Sequence, residues 1–277
     1  MGKAVKGWQG ELELLFQQRQ GQTSPVRHRA TAPLKLQRPF YPDHKTCQSV
    51  IVHTAGGMVG GDRLAIDIQA EAETQPLITT AAANKVYRSA GPISQQAAHL
   101  TIGAGALLEW LPQETIIFDQ AQYQQSVRVD LAPEAIWLGW DLMRLGRSAR
   151  GERFSQGQVR SHTEVWRGDM PLWIDRQWIE GGSPVLTSPH GFAGYPVIAS
   201  FALVGKIIKP EHLEIIRSLW PDFNDADMGV TALQSGMLCR YRGTSTQQAR
   251  TWFVKIWRYL KPYLNGKTAY VPRVWGL

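Results

Sequence analysis

Cysteine is nearly absent from this chain: Cys47 and Cys239 are the two in 277 residues. They stand far apart with no CxxC, so neither a zinc knuckle nor a disulfide framework is supported, and a reduced, cytoplasmic setting is expected. The common catalytic signatures are missing as well. No Gly-Lys-Ser/Thr loop, GxGxxG fingerprint, HExxH pair or GxSxG elbow occurs, which removes the sequence grounds for a nucleotide-binding enzyme, a zinc hydrolase or an elbow-type serine hydrolase. The seven histidines (His28, His44, His53, His99, His162, His190 and His212) are scattered. None sits four residues from another, so no tightly bound metal or other resident cofactor is expected.

Long apolar runs are also lacking. The longest stretch without Asp, Glu, Lys or Arg, from Gly181 to Gly205, is interrupted by Pro184, Pro189 and Pro196. A membrane helix needs roughly 20 predominantly apolar residues, so no membrane partner is expected. The opening MGKAVKGWQGELELLF has no apolar core of the kind a signal peptide carries, and Lys6 stands where a myristoylation motif prefers Ser or Thr. Pro/Ser-rich linkers and fixed-period repeats are not found, so the chain reads as one domain over residues 1–277. Hydrophobic residues at 43% and charged residues at 19% supply a sizeable core. The net charge of +7 permits acidic partners without naming one.

What is present is mostly strand-like alternation. Gly10 to Gln17, Arg63 to Glu71, Ser126 to Leu131 and Pro171 to Ile179 all alternate with period two. The last of these puts Trp173, Asp175 and Gln177 on one face and Leu172, Ile174, Arg176 and Trp178 on the other. Two helices are expected late in the chain. Residues 210–220 begin with Pro210 and Glu211 and carry Leu213, Ile216 and Trp220 at helical spacing. Residues 246–261 carry an apolar stripe of Ala249, Phe253, Ile256, Trp257 and Leu260, with Pro262 expected to end the helix. The fold class read from the residues is therefore mainly β with two helices in the C-terminal third.

Four glycines, Gly56, Gly57, Gly60 and Gly61, fall in HTAGGMVGGDRL. A phosphate loop would need a following helix, yet strand-like residues flank the segment on both sides, so a structural bend with glycines at positive φ is expected. In the C-terminal part Trp and Tyr residues interleave with Lys and Arg. Arg250, Trp252, Trp257 and Arg258 are the candidate partner-binding residues there, since aromatic and arginine side chains anchor interfaces. The same composition suits single-stranded nucleic acid, the alternative reading. A hydrolase with a cryptic site is a third.

Several ordered blocks together resemble the urease accessory protein UreD (UreH) family. They are APLKLQRPFYPD (Ala32 to Asp43), HTAGGMVGGDRL, Thr79 to Ser89 with NKVYRS, EWLPQETIIFDQA (Glu109 to Ala121), GWDLMRLGRSARGERFSQG (Gly139 to Gly157), LCRYRG and VPRVW. Where that family usually reads R-P-A-S-G-E, this chain has Arg147-Ser148-Ala149-Arg150-Gly151-Glu152. The resemblance implies an irregular β-helix-like stack of strands with two helices. It also implies a non-enzymatic maturation factor that joins UreF and, through UreF, the GTPase UreG, and docks on apo-urease subunits. A dimer of that accessory complex belongs to the same expectation, and nucleic acid is then not an expected partner. The cargo would be transient Ni²⁺, held by oxygen and water ligands rather than by a tight site. A hydrated cation crossing a low-dielectric interior needs a few acids along its way. Asp141, in GWDLMRLGR, and Asp175, in PLWIDRQWIE, are the candidates for that passage.

Overall fold

The computed structural model describes residues 7–43, 46–147 and 150–276. Gly2, Lys6, His44, Ser148 and Ala149, considered above, lie outside the described residues. In chain order the strands are β1 (Gln9–Arg19), β2 (Gln22–Ala30), β3 (Leu34–Leu36), β4 (Cys47–His53), β5 (Arg63–Ala70), β6 (Pro76–Thr80), β7 (Asn84–Val86), β8 (Ser94–Ile102) and β9 (Leu107–Trp110). They continue with β10 (Thr115–Ile117), β11 (Gln122–Leu131), β12 (Ile136–Leu145), β13 (Gln158–Arg167), β14 (Met170–Glu180) and β15 (Val197–Val204). Helix α1 (Pro210–Ser218), β16 (Ala226–Leu233), β17 (Gly236–Gly243) and helix α2 (Thr246–Asn265) complete the order.

From β5 to β13 the chain passes back and forth between two sheets. Strands β1, β5, β8, β11 and β13 pair in parallel in the first, and β4, β6, β9 and β12 pair in parallel in the second. Short β7 and β10 pair in parallel at a corner, and β10 also runs parallel to β12. The result is a β-solenoid-like stack, closed at its ends by antiparallel strands: β2 and β14 on the first sheet, β3 and β15-β17-β16 on the second.

Stacking in register puts like on like. Leu14, Ile68, Leu100, Val129 and Val165 form one cross-strand row, all buried between the sheets. The outer face of the first sheet is wet, so along Gln9–Phe16 and along β5 buried positions alternate with exposed or half-buried ones. The second sheet is covered on both faces, and β12 (IWLGWDLMRL) and β15 (VIASFALV) are correspondingly almost continuously apolar. Inward-facing Trp137 and Met143 join the core between the sheets, while Leu138, Trp140 and Leu142 pack outward beneath α2.

Helix α2 begins at Ser245, whose side chain accepts from Gln248 N–H at 3.3 Å, and ends at Gly266 in the left-handed conformation. Pro262 does not end it, contrary to the expectation. It sits in the last turn, and Gly266 N–H closes that turn onto the Pro262 carbonyl at 2.8 Å. The aromatic stripe of α2 is core rather than surface. Trp252 and Trp257 are fully buried, and Arg250 is buried and paired with Glu114. These three are therefore removed from the partner-binding candidates, because a side chain in the core cannot also fill a partner's pocket. Arg258 is exposed. The stacking surface that a nucleic-acid binder would need loses Trp252, Trp257 and Trp275 in the same way.

Two ion pairs, one of them fully buried, bind α2 to the second sheet. Glu109 on β9 receives Lys261 and also the Trp257 indole N–H at 2.6 Å, and Glu114 receives Arg250.

Candidate functional site

Not every row between the sheets stays apolar along the stack. One cross-strand row on the first sheet reads Leu64, Gln96, Gln125, Ser161, Gln177. Facing it, a row on the second sheet reads Asp141, Ser200, Arg240, across β12, β15 and β17. Between them lies an internal cavity of about 350 Å³, whose lining includes Gln125, Asp141, Ser161, Asp175 and Ser200. A groove of about 530 Å³ adjoins it, lined by Arg176, Trp178, Val185, Arg240 and Arg242 among others. Asp141 and Ser200 line both spaces, so they mark the place where cavity and groove meet.

Asp141 faces inward because strand alternation on β12 gives it the same side as Trp137, Gly139 and Met143. Gly139 makes room for the wall: a Cβ there would stand 2.2 Å from the Trp137 ring. That ring stacks on Trp173 with centroids 6.1 Å apart. Asp175 shares a face with Trp173 and Gln177, as the alternation of β14 predicts, and the structure turns that face inward.

A hydrogen-bond chain crosses the cavity. The Tyr123 hydroxyl donates to Gln125 Oε1 at 3.3 Å, and Gln125 Nε2 donates to Asp141 Oδ2 at 2.6 Å and to Ser161 Oγ at 2.9 Å. Asp175 is held on the other side. Arg240 donates Nη1 to its Oδ2 at 3.0 Å and Nη2 to its Oδ1 at 2.9 Å, and Nη1 also reaches Ser200 Oγ at 2.8 Å.

Burial pushes the Asp141 carboxyl up to about 6, and the negative charge of Asp175 adds to the effect. The Gln125 hydrogen bond and the positive charge of Arg240 oppose it. Burial likewise raises the Tyr123 phenol well above its ordinary range, with Asp141 contributing. The site therefore holds two inward carboxylates, one fixed by an amide and one by a guanidinium, with neutral hydroxyl and amide oxygens around them. Such oxygens suit a hard, hydrated cation in transit. Among the described residues, no group of three or more His, Cys, Asp and Glu is arranged to hold a metal.

The glycine segment is a bend between β4 and β5. Gly56, Gly57 and Gly61 have φ of 73°, 147° and 94°, which only glycine adopts freely. Gly60 is required for a different reason, since a Cβ there would stand 2.2 Å from Ser89 Oγ. Asp62 is the clasp of this bend, a role that no motif marks. It is buried and accepts from Trp8 N–H at 2.7 Å and Val59 N–H at 2.8 Å. At a neighbouring corner Arg147 lies over Phe118 and pairs with Glu152, and Phe118 meets Tyr87 edge-on at 4.9 Å. Three of the sequence blocks thus meet at one edge of the stack.

Asp141 and Asp175, both expected from the sequence, line one cavity, and Gln125, Ser161, Ser200 and Arg240 beside them were not expected. Polar residues facing inward look the same in a sequence as polar residues facing water. Only LCRYRG, one of the resemblance blocks, marked the neighbourhood of Arg240.

Fold and site together define a β-solenoid-like protein with a polar cavity set into an otherwise apolar interior. A family model described as UreD urease accessory protein matches residues 9–276. The chain is 51% identical over 274 residues to the urease accessory protein UreD of Acaryochloris marina, covering 99% of this chain and 97% of that protein. It is 51% identical over 272 residues to its counterpart in Nostoc punctiforme, covering 98% and 97%. With the counterpart in Picosynechococcus the identity is 43% over 269 residues, covering 97% and 94%. The chain belongs to the UreD urease accessory protein family, and its role lies in urease maturation. No helix among the described residues is long and apolar enough to cross a membrane.

Proposed function

We propose that this chain is a cytoplasmic, non-catalytic scaffold through which Ni²⁺ reaches apo-urease, working with UreF and, through UreF, with UreG. The observation that carries the reading is the pair of inward carboxylates, Asp141 and Asp175, which both line the cavity between the sheets, with Asp141 also lining the adjoining groove. A divalent cation leaving water for a protein interior loses hydration that must be replaced. Two carboxylates with amide and hydroxyl oxygens supply that replacement in part, and the cavity has room for waters that supply the rest. Oxygen ligands also exchange more readily than a His/Cys cage, and a carrier that releases its cargo requires such exchange.

The UreF-facing surface in this reading includes the solvent side of α2, where Arg258 remains exposed. The buried side of the helix, with Arg250, Trp252 and Trp257, contributes by holding it in place.

The test is Asp141→Asn and Asp175→Asn, which keep size and remove charge. Assembly with UreF and urease is expected to survive while the activity of the matured urease falls. Wild-type activation by both variants would reject the passage, and loss of the complex would make the residues structural.

A further inference from the structure

Arg240 lines the groove and reaches from it to Asp175 of the cavity and to Ser200, which lines both spaces. Its guanidinium forks onto Asp175 and reaches Ser200, its cross-strand neighbour, which in turn neighbours Asp141. A positive charge that belongs to the protein thus already occupies the place an external cation must reach. The bidentate fork is the geometry guanidinium matches best. The pair is nevertheless not sealed in. The Arg240 side chain is 41% accessible. Its cross-strand partner on β16 is Gly229, where an added Cβ would meet nothing within 4 Å. Room to leave Asp175 therefore exists on the groove side. The Lys261–Glu109 pair differs on this point: its side chains are 2% and 0% accessible, so it is locked.

We propose that Arg240 is a tethered counter-cation that competes with an arriving divalent cation for Asp175, so that the cavity carboxylates accept metal without retaining it. An incoming dication displaces the guanidinium toward the groove, and the guanidinium closes back on Asp175 as the metal departs. The exchange is purely electrostatic, with no covalent bond made or broken. The idea rests on the passage reading above but has its own readout.

That readout is Ni²⁺ binding to the full-length, tag-free chain by isothermal titration calorimetry. Arg240→Gln keeps much of the side chain and removes the charge. It is expected to bind Ni²⁺ about tenfold more tightly than wild type, or more, since a unit charge within contact distance of the site has gone. The gain should vanish in the double variant Arg240→Gln/Asp175→Asn, and Arg240→Lys, which keeps the charge, should stay close to wild type. An Arg240→Gln chain that melts like wild type and binds Ni²⁺ no more tightly overturns the proposal. If Arg240→Gln does not fold, Ser200→Ala decides, because it releases one anchor of the guanidinium and should give a smaller gain in the same direction; no gain overturns the proposal. The two readings fail separately. An Asp175-dependent gain alongside normal urease activation by the Asp→Asn variants upholds the competition and rejects the passage. Lost activation without any gain does the reverse.

Discussion

Asp141 shows at the scale of one residue how the fold changes a side chain's chemistry. In an unfolded chain its carboxyl titrates near the ordinary aspartate value of about 3.9; in the fold, burial moves it to about 6. The folded state therefore holds this proton more tightly than the unfolded state. Stability is greatest, as far as this group is concerned, below pH of about 4, falls as pH rises toward about 6, and stays reduced above that. Asp141→Asn abolishes the titration while keeping an acceptor for Gln125. The variant should match wild type near pH 4 and exceed it by about 1–3 kcal/mol above pH 6, as read by urea denaturation across pH. A difference that stays constant over that range would show that Asp141 is not desolvated. Single residues also explain what the sequence concealed. The alternation of β14 grouped Asp175 with Trp173 and Gln177 without saying which face is inward, and Gln125, Ser161 and Arg240 became site residues only when the stack turned them toward one another.

Elements were legible to the extent that one of their faces meets water. Strands β1, β5, β11 and β14 announce themselves because the first sheet is wet on its outer side. Strands β12 and β15 are covered on both faces and apolar apart from Asp141, Arg144 and Ser200, since the core lies on one side and α2 on the other, so no period-two signal marks them. Helix α2 was legible as a helix but not in its depth. The same Trp and Arg residues that suit an interface fill its core side, and the ion pairs that hold it join residues 152 and 136 positions apart. Two substitutions separate its faces. Lys261→Ala leaves Glu109 as a buried charge with a lost partner and should cost about 3–5 kcal/mol of stability. Arg258→Glu, on the exposed face, should leave the melting temperature unchanged and weaken capture of UreF in a pull-down. Equal UreF capture by a folded Arg258→Glu chain would move the contact surface elsewhere.

At the scale of the molecule, unequal turns hide the repeat. The steps from Leu64 to Gln96, Gln96 to Gln125 and Gln125 to Ser161 differ in length, yet each brings residues into register on the first sheet. A self-comparison of the sequence therefore finds no fixed period although the strands stack. This winding sets apolar rows beside polar ones between the sheets, and the polar rows face each other across a cavity. The proposed function needs that interior space as much as it needs its two carboxylates. The most direct measurement fills the space without touching the charges. In Ser161→Phe a ring replaces a hydroxyl that lines the cavity, and the nickel content of urease matured with this variant can be counted per active site. With the fold and the assembly with urease intact, the expected result is a urease depleted of nickel. Urease carrying its full complement of nickel, matured by a scaffold whose cavity is filled, would contradict passage through the interior.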